Sequence, residues 1–173
     1  NLNQPYSLSV KNFRDFKYID EDKINFLKSG SQWFGDVFDL ENIKDYSFSF
    51  LNKGDSSHVK AKLVSKSNYS TSYFNLSLYG QNRSIPISPS GSSYYSPVGK
   101  QVYKSYDFVN QPDKPLIVNL YYNNDGVPSS KGYLNYLEVN CKRQLSVDNQ
   151  QFDFFLPKIS SPNNWAKVAL TNA

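Results

Sequence analysis

Residues 131–145 read Lys-Gly-Tyr-Leu-Asn-Tyr-Leu-Glu-Val-Asn-Cys-Lys-Arg-Gln-Leu. Tyr133, Leu137, Val139, Cys141 and Leu145 fall on one parity. Glu138, Asn140, Lys142 and Gln144 fall on the other, diluted by Leu134 and Tyr136. Successive side chains of a strand point to opposite sides of a sheet, so this period of two predicts a long strand with one buried face. Its length and apolar content predict a central position. Gly132, at the end of a turn-rich run, is expected to let the chain bend into the sheet.

The same alternation recurs along the chain. Tyr46, Phe48 and Phe50 alternate with serines up to the Asn52-Lys53-Gly54-Asp55 turn signal. Val59, Ala61 and Leu63 alternate with lysines, and Phe74, Leu76 and Leu78 with Asn75 and Ser77, closed by Tyr79-Gly80. Further strands are predicted at 104–109, 115–122, 152–156 and 165–170, and a short one at Leu8 and Val10. Residues 123–126 (Asn-Asn-Asp-Gly) are a strong turn signal. Residues 83–100, rich in Pro, Gly and Ser, read as a long loop. Ile24 and Leu27 in the charged stretch 19–29 are spaced for one helical face, although the stretch is short enough to be an irregular arm. The class is all-β: a two-layer antiparallel β-sandwich, jelly-roll-like, with a short N-terminal arm. Residues 1–44 form the arm packing on the sandwich, 45–156 the sandwich, and 157–173 a linker and the start of another strand.

Composition agrees. Tyr and Phe number 14 and 12 of 173 residues, a bias that favours strands, and a chain of this length can bury a sizeable core unaided. The net charge of +4 arises from 19 basic and 15 acidic side chains that are scattered along the chain, which argues against a nucleic-acid interface. No apolar run approaches a membrane helix. The chain contains no Met, so it is expected to be a piece of something longer.

Candidate chemistry is sparse. His58 and Cys141 are the single histidine and cysteine, so they form the one thiol–imidazole pair to consider. Cys141 lies on the apolar face of its strand, where a thiol behaves as a small hydrophobe. The expectation is therefore no catalytic and no metal-ligating residue. Asp20, Glu21, Asp22, Asp36, Asp39 and Glu41 could supply oxygen ligands to a structural calcium, but without loop spacing for it, and a solvated acidic arm is the simpler reading. The tyrosines at 94, 95, 103, 106, 121 and 122 are candidates for a binding surface that stacks on sugars or packs peptide side chains. Trp33 and Phe34 are expected to bury as an anchor joining arm to sandwich. Three glycosylation sequons, at Asn68, Asn75 and Asn82, are of the kind an Asn- and Ser-rich chain produces by chance.

Three segments carry a resemblance when taken in order: Ser29-Gly30 with 33–36 (Trp-Phe-Gly-Asp), the strand 46–50 (Tyr-Ser-Phe-Ser-Phe), and 132–139 running on to Arg143 and Leu145. The terminal stretch 168–172 adds to them. Together they resemble the region preceding the peptidase domain in gingipain-type cysteine peptidases, and among these the PorU-type sortases of the type IX secretion system in Bacteroidota. The resemblance implies an exported, outer-membrane-associated enzyme at the cell surface that cuts C-terminal sorting signals from cargo. Its catalytic domain would lie downstream, leaving this chain as a non-catalytic β-domain. The implied partners are the adjoining peptidase domain, other secretion-system subunits and cargo sorting signals. The competing expectation is a carbohydrate-binding sandwich of a surface glycan-utilisation protein.

Overall fold

The protein is described by a computed structural model over residues 8–26, 32–146 and 166–169. These residues form strands and no helix. The principal strands are β2 (Asn12–Ile19), β4 (Ile43–Phe48), β5 (Lys53–Lys66), β6 (Ser72–Leu78), β7 (Gln81–Ile87), β8 (Lys100–Val109), β9 (Leu116–Asn123) and β10 (Lys131–Gln144). One antiparallel sheet runs β2-β10-β5-β8, with the short β3 (Val37–Phe38) also paired to β10; the other runs β4-β9-β6-β7. Among the principal strands the pairing is nested: β2 with β10, β4 with β9, β5 with β8, β6 with β7. A long hairpin rolled into two layers has this order, which is that of a jelly roll. A separate parallel pair joins β1 (Leu8–Val10) to β11 (Ala166–Val168).

The core lies between the sheets, where Leu63, Leu76, Leu78, Val118, Leu120, Leu137 and Val139 are fully buried. In β6 and β9 burial alternates residue by residue, as their sequence implied. Tyr122 also points inward. Its hydroxyl is satisfied by Ser65 Oγ at 2.8 Å and Ser130 Oγ at 2.6 Å, and Ser72 Oγ donates to Ser65 Oγ at 2.6 Å. A buried ring with a polar tip needs such partners.

β10 is central, between β2 and β5, but its faces differ from the simple parity expected. Its pairing with β5 shifts register between Leu134 and Tyr136, so Asn135 is the extra residue of a bulge. Leu134 therefore faces the main core with Leu137 and Val139, whereas Tyr133 faces outward into a satellite cluster with Phe34 and Val64. Gly132 serves close approach, not bending: a Cβ there would lie 2.6 Å from Phe74 Cζ.

The structure adds to three further expectations. Residues 83–87, assigned to a loop, belong to the strand β7, which pairs on one side alone; Pro86 is tolerated because an edge strand need not donate from every N–H. Residues 12–19, within the segment expected to pack on the sandwich as an arm, form a strand hydrogen-bonded along β10. Of the two alternatives for residues 20–26 the irregular arm holds: they form no helix, and Ile24 bridges Phe34. This arm segment covers Tyr133 and Val64 at one end of the five-stranded sheet. The strand expected at 152–156, the linker at 157–164, Leu27 and Trp165 lie outside the described residues.

Candidate functional site

Alternation decides what the outer face of the five-stranded sheet presents. Register places Phe16, Asn140, His58 and Asp107 in one cross-strand row, Tyr18, Glu138, Lys60 and Ser105 in the next, and Tyr136, Lys62 and Tyr103 in a third. Phe16, Tyr18 and Tyr103 are more than half exposed. The Phe16 and Tyr18 rings stack at 6.4 Å and 19°, and Tyr18 stacks on Tyr136 at 6.0 Å and 27°. A continuous line of rings thus crosses from β2 onto β10. Exposed contiguous aromatic surface of this kind marks an interaction site.

Polar groups fix the rings from beside. Glu138 accepts from Lys60 Nζ at 2.6 Å, from Asn140 Nδ2 and from the Tyr136 hydroxyl. Burial pushes the Glu138 carboxyl up, but these three donors outweigh it and hold the carboxyl below its ordinary 4.5. Burial, and then the bond to Glu138, push the Tyr136 hydroxyl well above the usual tyrosine range. The Glu138 bond likewise raises Lys60. At neutral pH Glu138 is therefore a charged, triply bonded acceptor that pins Tyr136. At one end of the face Arg14 lies directly opposite Lys142. At the other, Phe34, Phe26 and Tyr133 close the surface, with Phe26 4.5 Å from Phe34 and 4.6 Å from Tyr133. The arrangement can hold a ligand or a protein surface against flat rings and lysines.

It is not built for nucleophilic chemistry. His58 faces outward, 2.7 Å from Asp107, whereas Cys141 pairs with Ser57 on the core face and is fully buried. Thiol and imidazole lie on opposite sides of one sheet. Cys141 instead sits near Asn110 Nδ2 at 3.6 Å, within a buried polar group that includes Ser57. The acidic residues of the first quarter are dispersed. Asp36 accepts from Lys23 at 3.0 Å and Tyr46 at 2.9 Å, Asp39 pairs with Lys131, and Glu41 with Lys44. Among the described residues no three His, Cys, Asp or Glu side chains gather as a metal site.

The six tyrosines proposed from sequence do not share a surface. Tyr94 and Tyr95 project from the loop after β7, 95% and 92% exposed, in a T-shaped pair. Tyr103 belongs to the ring-lined face. Tyr106 packs against the core edge, Tyr121 lies on the outer face of the other sheet, and Tyr122 is core. The Trp33–Phe34 pair also divides: Phe34 is buried and Trp33 is 43% exposed, since neighbours on extended chain point oppositely. Phe16, Tyr18 and Tyr136 were not singled out. The sequence signal for Phe16 and Tyr18 is the run Arg14, Phe16, Tyr18, Asp20 at a spacing of two, which mixes charged and aromatic residues on one parity and so does not read as a buried strand face.

No protein-family model and no curated protein sequence matches the chain. Among solved structures, dimeric latent PorU from Porphyromonas gingivalis is similar with a TM-score of 0.67 at 17% identity, over 84% of this chain and 14% of that chain. The chain thus spans about 14% of the length of that relative, and the likeness shows the fold. A CBM36-1 domain of a multidomain xylanase from the hindgut metagenome of Trinervitermes trinervoides gives a TM-score of 0.43 at 14% identity, over 72% of this chain and 96% of that one. A carbohydrate-binding module CBM36 in complex with calcium and xylotriose gives a TM-score of 0.43 at 14% identity, over 72% of this chain and 98% of that chain.

Proposed function

We propose that this chain is a non-catalytic β-sandwich domain of a larger, exported cell-surface peptidase of the gingipain-like, PorU type. In that reading the parent is a C-terminal signal peptidase, and this domain supports or orients its downstream protease domain. The observation that carries the proposal is the asymmetry of the structural match, most of this chain against a small part of PorU. The ordered sequence segments support it, as does the separation of His58 from Cys141 by the thickness of a sheet. The line Phe16–Tyr18–Tyr136 is the surface for the adjoining peptidase domain, with secretion-system subunits or cargo sorting signals as further partners. Rings at the centre with charges around them are the composition of a protein-docking patch.

The test is binding of this chain to the separately expressed remainder of its parent. Phe16→Ala and Tyr18→Ala, at rings more than half exposed, are expected to weaken binding by about tenfold or more while the melting temperature stays near that of the unaltered chain. Undiminished binding in both variants would overturn the assignment of the face.

A further inference from the structure

The outer face of the other sheet has a different chemistry. Across β4, β9, β6 and β7 its two central rows are Asp45, Asn119, Ser77 and Asn82, then Ile43, Tyr121, Asn75 and Ser84, flanked by Ser47 and Ile117 on one side and by Asn123, Tyr73 and Pro86 on the other. Asp45 is the one charged side chain among the outward positions of these strands, and Asn119 Nδ2 already donates to it at 2.7 Å. Asn75, Ser77, Asn82, Asn119 and Tyr121 line a shallow depression of about 390 Å³. Among the described residues the side-chain polar groups of Asn75, Ser77, Asn82 and Tyr121 have no hydrogen-bond partner.

Local structure does not explain this grid. Asn is disfavoured within strands, because it competes for its own backbone and packs poorly on a pleated surface. An ordinary solvent face is expected to mix charges of both signs, as the opposite sheet does with Lys60, Glu138, His58 and Asp107. The exposed Ile43 and Ile117 lie toward its edge, so the centre of the face is polar, whereas the centre of a permanent protein contact is more apolar.

We propose that this face binds a neutral polysaccharide. Each carboxamide offers both a donor and an acceptor, which matches the paired roles of sugar hydroxyls, and the Tyr121 ring beside Asn75 supplies a flat apolar patch for a sugar face. Neighbouring strands repeat at about 4.8 Å, so Asn119, Ser77 and Asn82 present polar groups at even intervals along one direction, as an extended chain of hydroxyl-bearing units requires. Asp45 is the one charge on the face, and with no cation among the outward positions an anionic ligand finds no counter-charge, so selectivity is left to hydrogen bonding. This site is separate from the ring-lined face, and its occupancy does not depend on the docking role.

The experiment is affinity electrophoresis of the full 173-residue chain through gels containing xylan, mannan, dextran or a mixed-linkage glucan. Retardation by at least one polymer is expected, weakened by about tenfold or more in Asn75→Ala and in Tyr121→Ala and unchanged in Tyr18→Ala. Asn82→Ala, at an exposed edge position, provides a variant whose fold is not at stake. Free migration in all four gels would overturn the proposal. So would retention that survives all three face substitutions, or retention lost in Tyr18→Ala.

Discussion

Gly132 lies against the ring of Tyr122 so closely that a Cβ at this position would come within 2.7 Å of Tyr122 Cδ2 and 2.6 Å of Phe74 Cζ. Both rings are buried and packed on one another at 4.8 Å, so neither can withdraw freely. The glycine thereby lets the start of β10 approach the opposite sheet. Gly132→Ala is expected to overpack the core and lower stability by about 1–3 kcal/mol. Thermal unfolding measures this, and Phe74→Leu in the same chain should recover part of the loss. An unshifted midpoint in the single variant would show that the rings are not fixed as described.

Phe34 and Trp33 make a sharper pair. Phe34 is 2% exposed within the satellite cluster, and Phe34→Ala should cost about 3–5 kcal/mol. Trp33→Ala, at a half-open position, should cost well under half as much. Equal losses in denaturant titrations would mean that the arm does not cross the sheet through Phe34.

Glu138 gives the fold a pH dependence of predictable sign. Its folded-state carboxyl is held below 4.5, chiefly because the Lys60, Tyr136 and Asn140 donors overcome burial. The stability this supplies is complete above that ordinary value and is lost as pH falls through the folded value. Asp36, held down against burial by Lys23 and Tyr46, acts in the same direction. The melting temperature is expected to drop between roughly pH 5 and pH 3, and Glu138→Gln should flatten part of that slope. A profile identical to that of the unaltered chain would contradict the assignment.

Cys141 is fully buried on the core face. A chromogenic disulfide reagent should leave it untouched in the native chain and modify it fully in denaturant, since thiol reactivity requires access and thiolate character. Fast native modification would place the thiol at the surface.

The sequence made the layers readable wherever alternation ran unbroken, as in β6 and β9. It misled where one residue changed phase. The Asn135 bulge moves Tyr133 and Leu134 to the faces opposite those their parity indicates, because a single inserted residue inverts a period of two. β7 is obscured by Asn82, Ser84 and Pro86, residues that an edge strand accepts. Tyr121 and Tyr122 look equivalent in sequence and lie on opposite sides of one sheet. Of the ring-lined face, Tyr103 alone was chosen from sequence. The rest depends on β2 lying beside β10, a pairing between segments more than a hundred residues apart that no local pattern encodes.

We propose that this chain is a non-catalytic domain of a larger surface enzyme. An antibody raised to the chain and used to blot fractionated source cells tests it most directly. A band several times the mass of the 19.8 kDa chain, in the outer-membrane or surface fraction, is the result expected. A band at the mass of the chain itself, soluble or released, would contradict the account and leave an independent module in its place.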